Sequence, residues 1–387
     1  MCSRKVAVDT AGTLGQKILR QMGAAISTHH MRNFDVLRGV SSIAVLLTHL
    51  HTFFIARLFG LQTPGAAISG LNGRIAVIVF LLLSGHLIAQ SVKSNIDRNG
   101  HFVFSEYAVA RIARIYPPLI GAITLCVVVG AIIFILDLPG GQTPYGRPGD
   151  LYRVTDHFRL SGHDILTSLL MLGGLTDADG PLWTLYVEFQ MYIAAIGVAI
   201  WCGKRPRFRP FLLLMSASAF ALALLHPVFA VIWIIGALTT LVPLNRETTV
   251  PLALAFCCII AAGTVYNPAL LTSVDMQHAG VMQVMIGAML SCAIFSLWPK
   301  LEYPGWLIAT GNFSYSLYVI HWPLLLLILS FTQEWIGRSL VRTTLIVGFA
   351  GPAVVLTSVV FASIFERQTV YRVWLTQLCS KILGVTR

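Results

Sequence analysis

At 56% hydrophobic and 11% charged residues, this chain of 387 residues is not a water-soluble globule, where charged residues make up about a quarter of the total. A formal charge of +11 would suggest nucleic acid in a soluble protein. In so apolar a chain it belongs to the loops that flank membrane spans, which excludes a nucleic-acid partner.

Residues 1–31 hold Arg4, Lys5, Lys17 and Arg20 among small and polar residues, without an apolar run long enough for a signal-peptide core. They read as a cytoplasmic tail. A spanning helix needs roughly 20 apolar residues, and hydropathy places ten candidate stretches along the rest of the chain. The first, 36–58, carries Asp35, Arg38 and His49. Asp35 and Arg38 are three apart and able to pair. Arg38 and His49 are 11 apart, which on a helix leaves them on nearly one face, with His49 roughly 16 Å deeper. An ionisable group inside a span is costly and is a functional candidate by default. A satisfied interhelical hydrogen-bonder is the competing reading for His49.

The second stretch, 73–92, has Ser84-Gly85-His86 at its centre, small residues that suit close helix packing. An inner loop, 93–114, follows and ends in Arg111 and Arg114, before Pro117 and Pro118 reset the chain for the third stretch, 117–137. Two guanidinium groups three apart serve as a positive anchor or as a bidentate phosphate clamp. The connection 138–180 is long enough for a lid or substrate loop. The fourth stretch, 182–202, places Glu188 nearly two turns inside the membrane. Stretches 211–225 and 227–243 meet at His226-Pro227 and read as a helical hairpin, followed by 250–267 and 280–298. In the ninth, 306–330, Ser314, Tyr318 and His321 recur at i, i+4, i+7, a polar stripe on an apolar helix that must face a cavity or another polar helix. The tenth is 343–365.

With the N-terminus inside, 20 of the 27 Lys and Arg residues fall on inner segments, a strong positive-inside bias. The fold class is therefore all-α: a polytopic membrane protein of about ten transmembrane helices with both termini cytoplasmic. Seven cysteines without a CxxC pair indicate neither a disulfide framework nor a metal site.

Four of these patterns together resemble the integral-membrane acyltransferase-3 family. They are Arg-x10-His at Arg38 and His49, RxxR at Arg111 and Arg114 before Tyr116-Pro117, Trp183 through Glu188 with Gln190 and Tyr192, and Ser314 through His321-Trp322-Pro323. The sequence departs from the family pattern at His86, Ile78 and Gln368. The resemblance implies an acyltransferase domain over 32–372, between a tail at 1–31 and a cytoplasmic tail at 373–387. It implies a multi-pass protein of the inner membrane without a permanently bound cofactor. Its donor would be acyl-CoA, most often acetyl-CoA, and its acceptor a carbohydrate or lipid-linked carbohydrate of an exopolysaccharide, O-antigen or lipo-oligosaccharide. His49 becomes the expected general base or transient acyl carrier, with Arg38, Glu188, Tyr318 and His321 as further catalytic candidates. Arg111, Arg114 and Ser84 become the donor-binding candidates. A transporter or flippase using Arg38, His49, Glu188 and His321 as a polar pathway is the alternative.

Overall fold

The structure, a computed structural model, describes residues 33–60, 63–138, 160–176, 178–202, 209–241, 246–266, 280–296 and 301–383. Among them there is no strand. The first helix, α1 (Asn33–Phe59), runs as an α-helix through His49 and then widens into a π-helical turn at His51–Ile55. Helix α2 (Pro64–Asn99) starts where the Thr63 hydroxyl accepts the Ala66 amide at 3.2 Å and Pro64 takes the first turn, and stops at Gly100 with φ 68°. Helix α3 (Phe104–Ile135) follows after a short turn. The short α4 (Gly162–Leu169) has a capping box in which Ser161 and Asp164 satisfy each other's backbone amides. These bonds, from the Ser161 amide first and its hydroxyl second, hold the Asp164 carboxyl below the usual range. Next come α5 (Leu182–Cys202), α6 (Arg209–Ala223), α7 (Pro227–Leu238), α8 (Arg246–Tyr266) and α9 (Gly280–Ser296). Helix α10 (Gly305–Thr310) passes through a 3-10 turn at Gly311–Phe313 into α11 (Ser314–Ile336), followed by α12 (Leu340–Phe365) and α13 (Gln368–Leu383).

All ten expected stretches overlap helices. Six helices are long and apolar enough to cross a membrane, and four more (Arg209–Ala223, Pro227–Leu238, Thr249–Val265 and Gly280–Ser296) are shorter. At 1.5 Å per residue α6, α7 and α9 reach at most about 26 Å, less than the roughly 30 Å of a bilayer core, whereas the whole of α8, with 21 residues, reaches about 31 Å. The segment after 372, expected as a tail, forms most of α13, which packs on α3. Leucine, valine and tryptophan side chains lie exposed on α6, α8 and α12 and on α13, the surface that a lipid environment accepts and water does not.

Helix α11 is the centre of the bundle. Its Leu317, Val319, Ile320, Leu325 and Leu326 are fully buried, and it packs against both α3 and α12. One apolar core gathers α2, α3, α5, α7 and α9, and a second gathers the far half of α1 with α3, α11 and α12. The closest crossing is between α2 and α7. A methyl on Gly85 would sit 2.9 Å from the Ala237 nitrogen, and one on Gly236 would sit 2.8 Å from the Leu82 carbonyl carbon. Those two glycines let the backbones touch. The expected hairpin at His226-Pro227 does not form a packed pair: α6 lies along α5 while α7 lies along α2. The deeper apolar partner wins over adjacency in sequence.

The expected inner loop is also different. Helix α2 continues to Asn99 and α3 begins at Phe104, so Arg111 and Arg114 lie on α3 itself, within about three turns of its start, and the helix runs on through Pro117 and Pro118. Each proline removes one ladder bond, and burial of Ile115, Pro118 and Leu119 holds the helix together across the gap. Of the connection expected as a lid, 139–159 lies outside the described residues. In its last part Met171, Leu175, Ala178 and Asp179 are buried. Ser168 ties it down by donating to the Gly173 carbonyl at 2.9 Å while accepting from the Leu175 amide and the Tyr186 hydroxyl, each at 2.9 Å. Gly180 lies 3.0 Å, at its Cβ direction, from the Trp322 ring. This part is a wall of the bundle rather than a flap over it.

The α2–α7 crossing leads to a stability prediction. Gly85→Val overpacks a contact between two backbones and is expected to destabilise the protein by about 1–3 kcal/mol, whereas Gly348→Ala, which meets nothing within 4 Å, is neutral or slightly stabilising. Melting of the two variants in one detergent distinguishes them.

Candidate active site

Three cavities adjoin one another in series through shared lining residues. The first is a vestibule of about 690 Å³, walled by Arg38, Lys93, Arg98, Arg111 and Arg114, with Asp97 as its one carboxylate. The second is a throat of about 50 Å³ between α1, α2, α3, α5 and α11, which shares Arg38, Leu87 and Arg114 with the vestibule. The third is a chamber of about 430 Å³ lined by His49, Arg74, Trp183, Phe229, Gln283 and Trp322 among others, which shares Val77 and Tyr318 with the throat.

In the vestibule, Arg38 Nη1 pairs with Asp35 Oδ1 at 3.3 Å, as the three-residue spacing suggested. Arg111 lies over the rings of Tyr107 and Tyr192, at 5.7 and 5.9 Å, and reaches Ser91 Oγ at 3.3 Å, while its Nε has no partner. Stacking on two faces leaves the planar fork fixed in orientation. Arg114, one turn on, faces both vestibule and throat. His86 lines the vestibule, its ring stacked on Phe295 at 4.4 Å and its Nδ1 2.7 Å from Thr239 Oγ1.

Glu188 sits in the throat. Its hydrogen-bond donors are hydroxyls, Ser84 Oγ at 2.6 Å and Tyr192 OH. Trp233 Nε1 donates in turn to Ser84 at 3.1 Å. Thus Ser84, expected on the donor side, is the hub of a network that joins α2, α5 and α7. At the boundary with the chamber, Thr184 Oγ1 donates to the Pro181 carbonyl at 2.9 Å. The proton in its 2.6 Å contact with Tyr318 therefore comes from the tyrosine.

In the chamber, the His49 and His321 rings stack at 5.2 Å and 24°, and Trp322 meets His49 edge-on at 4.7 Å. His321 Nδ1 lies 2.9 Å from the Leu317 carbonyl. A carbonyl only accepts, so Nδ1 carries the proton and Nε2, which has no partner, keeps the lone pair when the ring is neutral. His49 Nδ1 is also without a partner. Of the stripe, Ser314 faces the throat and Tyr318 both spaces, whereas His321 is fully buried and lies against the His49 ring.

The eight candidate residues thus fall on one line. Arg111 opens it, Arg38, Arg114, Ser84 and Glu188 occupy its middle, and Tyr318, His321 and His49 close it. Sequence reasoning missed Trp233, Gln283 and the wall residue Thr184. A lone amide near the start of an apolar stretch was the available signal for Gln283. Trp233 gave none, because a tryptophan in an apolar helix is ordinary.

With this geometry in place, comparison with known proteins is decisive on one point. Residues 31–363 match Acyl_transf_3, described as an acyltransferase domain. The chain belongs to the acyltransferase-3 family. A curated relative, the O-acetyl transferase of Shigella phage Sf6, is 30% identical over 178 residues, covering 44% of this chain and 46% of the relative. The match thus spans less than half of that relative's length. No solved structure matches. The acyltransferase-3 domain here is a multi-pass membrane bundle, and the matched region includes every residue of the three cavities.

One consequence of the Ser84 hub is testable without an assay of activity. Ser84→Ala removes a donor from Glu188 and an acceptor from Trp233, which leaves both short in a low-dielectric site. The expected loss is about 1–3 kcal/mol, seen as an earlier thermal transition of the detergent-solubilised protein.

Proposed function

We propose that this protein is an inner-membrane O-acetyltransferase that takes acetyl from acetyl-CoA at the arginine-lined, cytoplasmic end. It passes the group to a hydroxyl of a saccharide, free or lipid-linked, in the His49 chamber. One observation carries this reading: two spaces of opposite character are joined by a throat, so that a donor and an acceptor held at separate ends meet at His49. Membership of the family, the O-acetyl transferase named in the phage relative and the basic bias of the inner segments all point the same way.

Each space suits one substrate. Four arginines and a lysine around the vestibule match the phosphates of CoA, and fixed guanidinium forks bind phosphate in a bidentate way that an ammonium group does not. The throat, about 50 Å³, is far smaller than either space and too small for a sugar ring. The chamber is wide enough for a ring and is walled by aromatic side chains with a few polar groups, the usual make-up of a small-molecule site. The same narrowness disfavours passage of a saccharide through the bundle.

In the reaction, a neutral nitrogen of His49 takes the proton of the acceptor hydroxyl as that oxygen bonds to the thioester carbonyl carbon. The C–S bond breaks, CoA leaves as thiolate toward the vestibule, and the proton held by His49 is returned to it. The products are the O-acetyl ester and CoA. Stacking on His321 and contact with Trp322 hold the His49 ring in place. Arg38 and Arg114, at the junction of vestibule and throat, supply positive charge near the thioester path.

Purified protein in nanodiscs, given radiolabelled acetyl-CoA and saccharide with no ion gradient, is expected to transfer label. Absence of both transfer and acetyl-CoA hydrolysis would overturn the reading in favour of transport. His49→Gln is expected to lower transfer by about 10² or more with acetyl-CoA still bound, and near wild-type turnover would remove His49 from the mechanism. The double variant Arg111→Lys, Arg114→Lys is expected to raise the KM for acetyl-CoA about tenfold. An unchanged KM would leave the arginines as topology anchors. Reporter fusions after Gly100 and Leu375 are expected to read as cytoplasmic and one after Asp150 as exterior.

A further inference from the structure

The His49 chamber contains a polar group that neither the bundle nor the proposed chemistry uses. Gln283, in the first turn of α9, is 3% exposed, lines the chamber, and its amide nitrogen has no hydrogen-bond partner. Buried amide groups are almost always paired. An orphan beside a cavity of about 430 Å³ points to a partner that arrives from outside the protein. On the neighbouring wall, Trp183 packs on Phe229 at 4.7 Å between ring centres and on His226 at 5.9 Å. Trp183 and Phe229 line both the chamber and an apolar groove that adjoins it along Leu224–Phe229.

A pyranose has two different surfaces. Its C–H groups form an apolar face that lies flat on an indole, and its hydroxyls project from the edge and require both donors and acceptors. A primary amide is one of the few side-chain groups that offers both at once. We propose that Trp183 and Gln283 form the ring-binding subsite for the acceptor. Trp183 takes the apolar face of a pyranose, and the Gln283 amide takes an oxygen at its edge. Together they choose which hydroxyl is turned to His49. This rests on the saccharide reading above and deepens it: Gln283 becomes the residue that sets acceptor preference and the position acylated, with no part in the handling of acetyl-CoA.

The test uses the full chain in nanodiscs with acetyl-CoA and a panel of methyl pyranosides in the gluco, galacto, manno and rhamno configurations, with the acetylated position read by NMR. In Gln283→Leu, which keeps the side-chain volume and removes the amide, the KM for the best pyranoside is expected to rise about tenfold, the acetylated position to become mixed, and the KM for acetyl-CoA to stay as in wild type. Gln283→Asn, which keeps the amide on a shorter stem, is expected to fall between the two. Trp183→Ala is expected to raise the pyranoside KM about as much as Gln283→Leu does. An unchanged pyranoside KM with one acetylated position in Gln283→Leu would overturn the subsite while leaving the saccharide reading intact. If wild-type protein hydrolyses acetyl-CoA but acetylates none of the pyranosides, the saccharide reading and the subsite fall together. If Gln283→Leu changes the acetyl-CoA KM as strongly as the pyranoside KM, the residue acts on the whole bundle and the subsite is likewise overturned.

Discussion

A carboxylate inside a bilayer is costly unless hydrogen bonds meet it, and the way this bundle meets that cost at Glu188, on the wall of the throat, organises everything around it. Ser84 and Tyr192 donate to Glu188, and Trp233 donates to Ser84. The four side chains come from α2, α5 and α7. A hydrogen bond to a charged group contributes about 1.5–3 kcal/mol where a neutral one contributes about 1, so this network is among the stronger polar ties in the molecule. It also lies where α2 and α7 are drawn together through Gly85 and Gly236. Close backbone approach brings Trp233 within reach of Ser84, and the satisfied carboxylate keeps the helices at that spacing. The throat is the space left over by this arrangement, which accounts for its small volume.

Much of the fold was legible in the sequence because the bilayer imposes a length and a composition on each helix. The stretches around residues 36–58 and 343–365 were found by hydropathy alone, and so were the others. What hydropathy did not carry was which helix packs on which. Pairing of 211–225 with 227–243 followed from adjacency and a proline, whereas packing separates them, with α6 on α5 and α7 on α2. The prolines at 117 and 118 were read as a break because a missing ladder bond is expensive in water-exposed helices. In α3 the buried neighbours hold the segment helical, a tertiary effect outside the reach of local rules.

The site was legible to a similar degree and for a related reason. Arg38, His49, Glu188 and His321 stand out because ionisable groups are rare inside spans, and helical periodicity put Ser314, Tyr318 and His321 on one face. Partners were not legible. Nothing in the sequence said that Glu188 would be met by hydroxyls rather than by Arg114, or that His49 and His321, from opposite ends of the chain, would stack. Gln283 is the clearest case, since an amide in a helix turn is unremarkable until the cavity beside it and the absence of a partner are both visible.

The line of cavities also constrains how the proposed reaction divides its labour. Tyr318 marks the junction of throat and chamber, the point where a thioester carbonyl carried on a thin arm would come to rest. Its hydroxyl proton is already given to Thr184, whose own proton is given to the Pro181 carbonyl. Tyr318 therefore presents lone pairs to the junction and has no proton to offer a developing oxyanion. The positive charge required there has to come from the other side, where Arg38 and Arg114 bound the throat. In the proposed reaction one helix, α1, would hold the cation Arg38 on the donor side and the base His49 on the acceptor side. The rigid rise between them, roughly 16 Å, fixes how far the thioester must be carried before an acceptor hydroxyl can meet it.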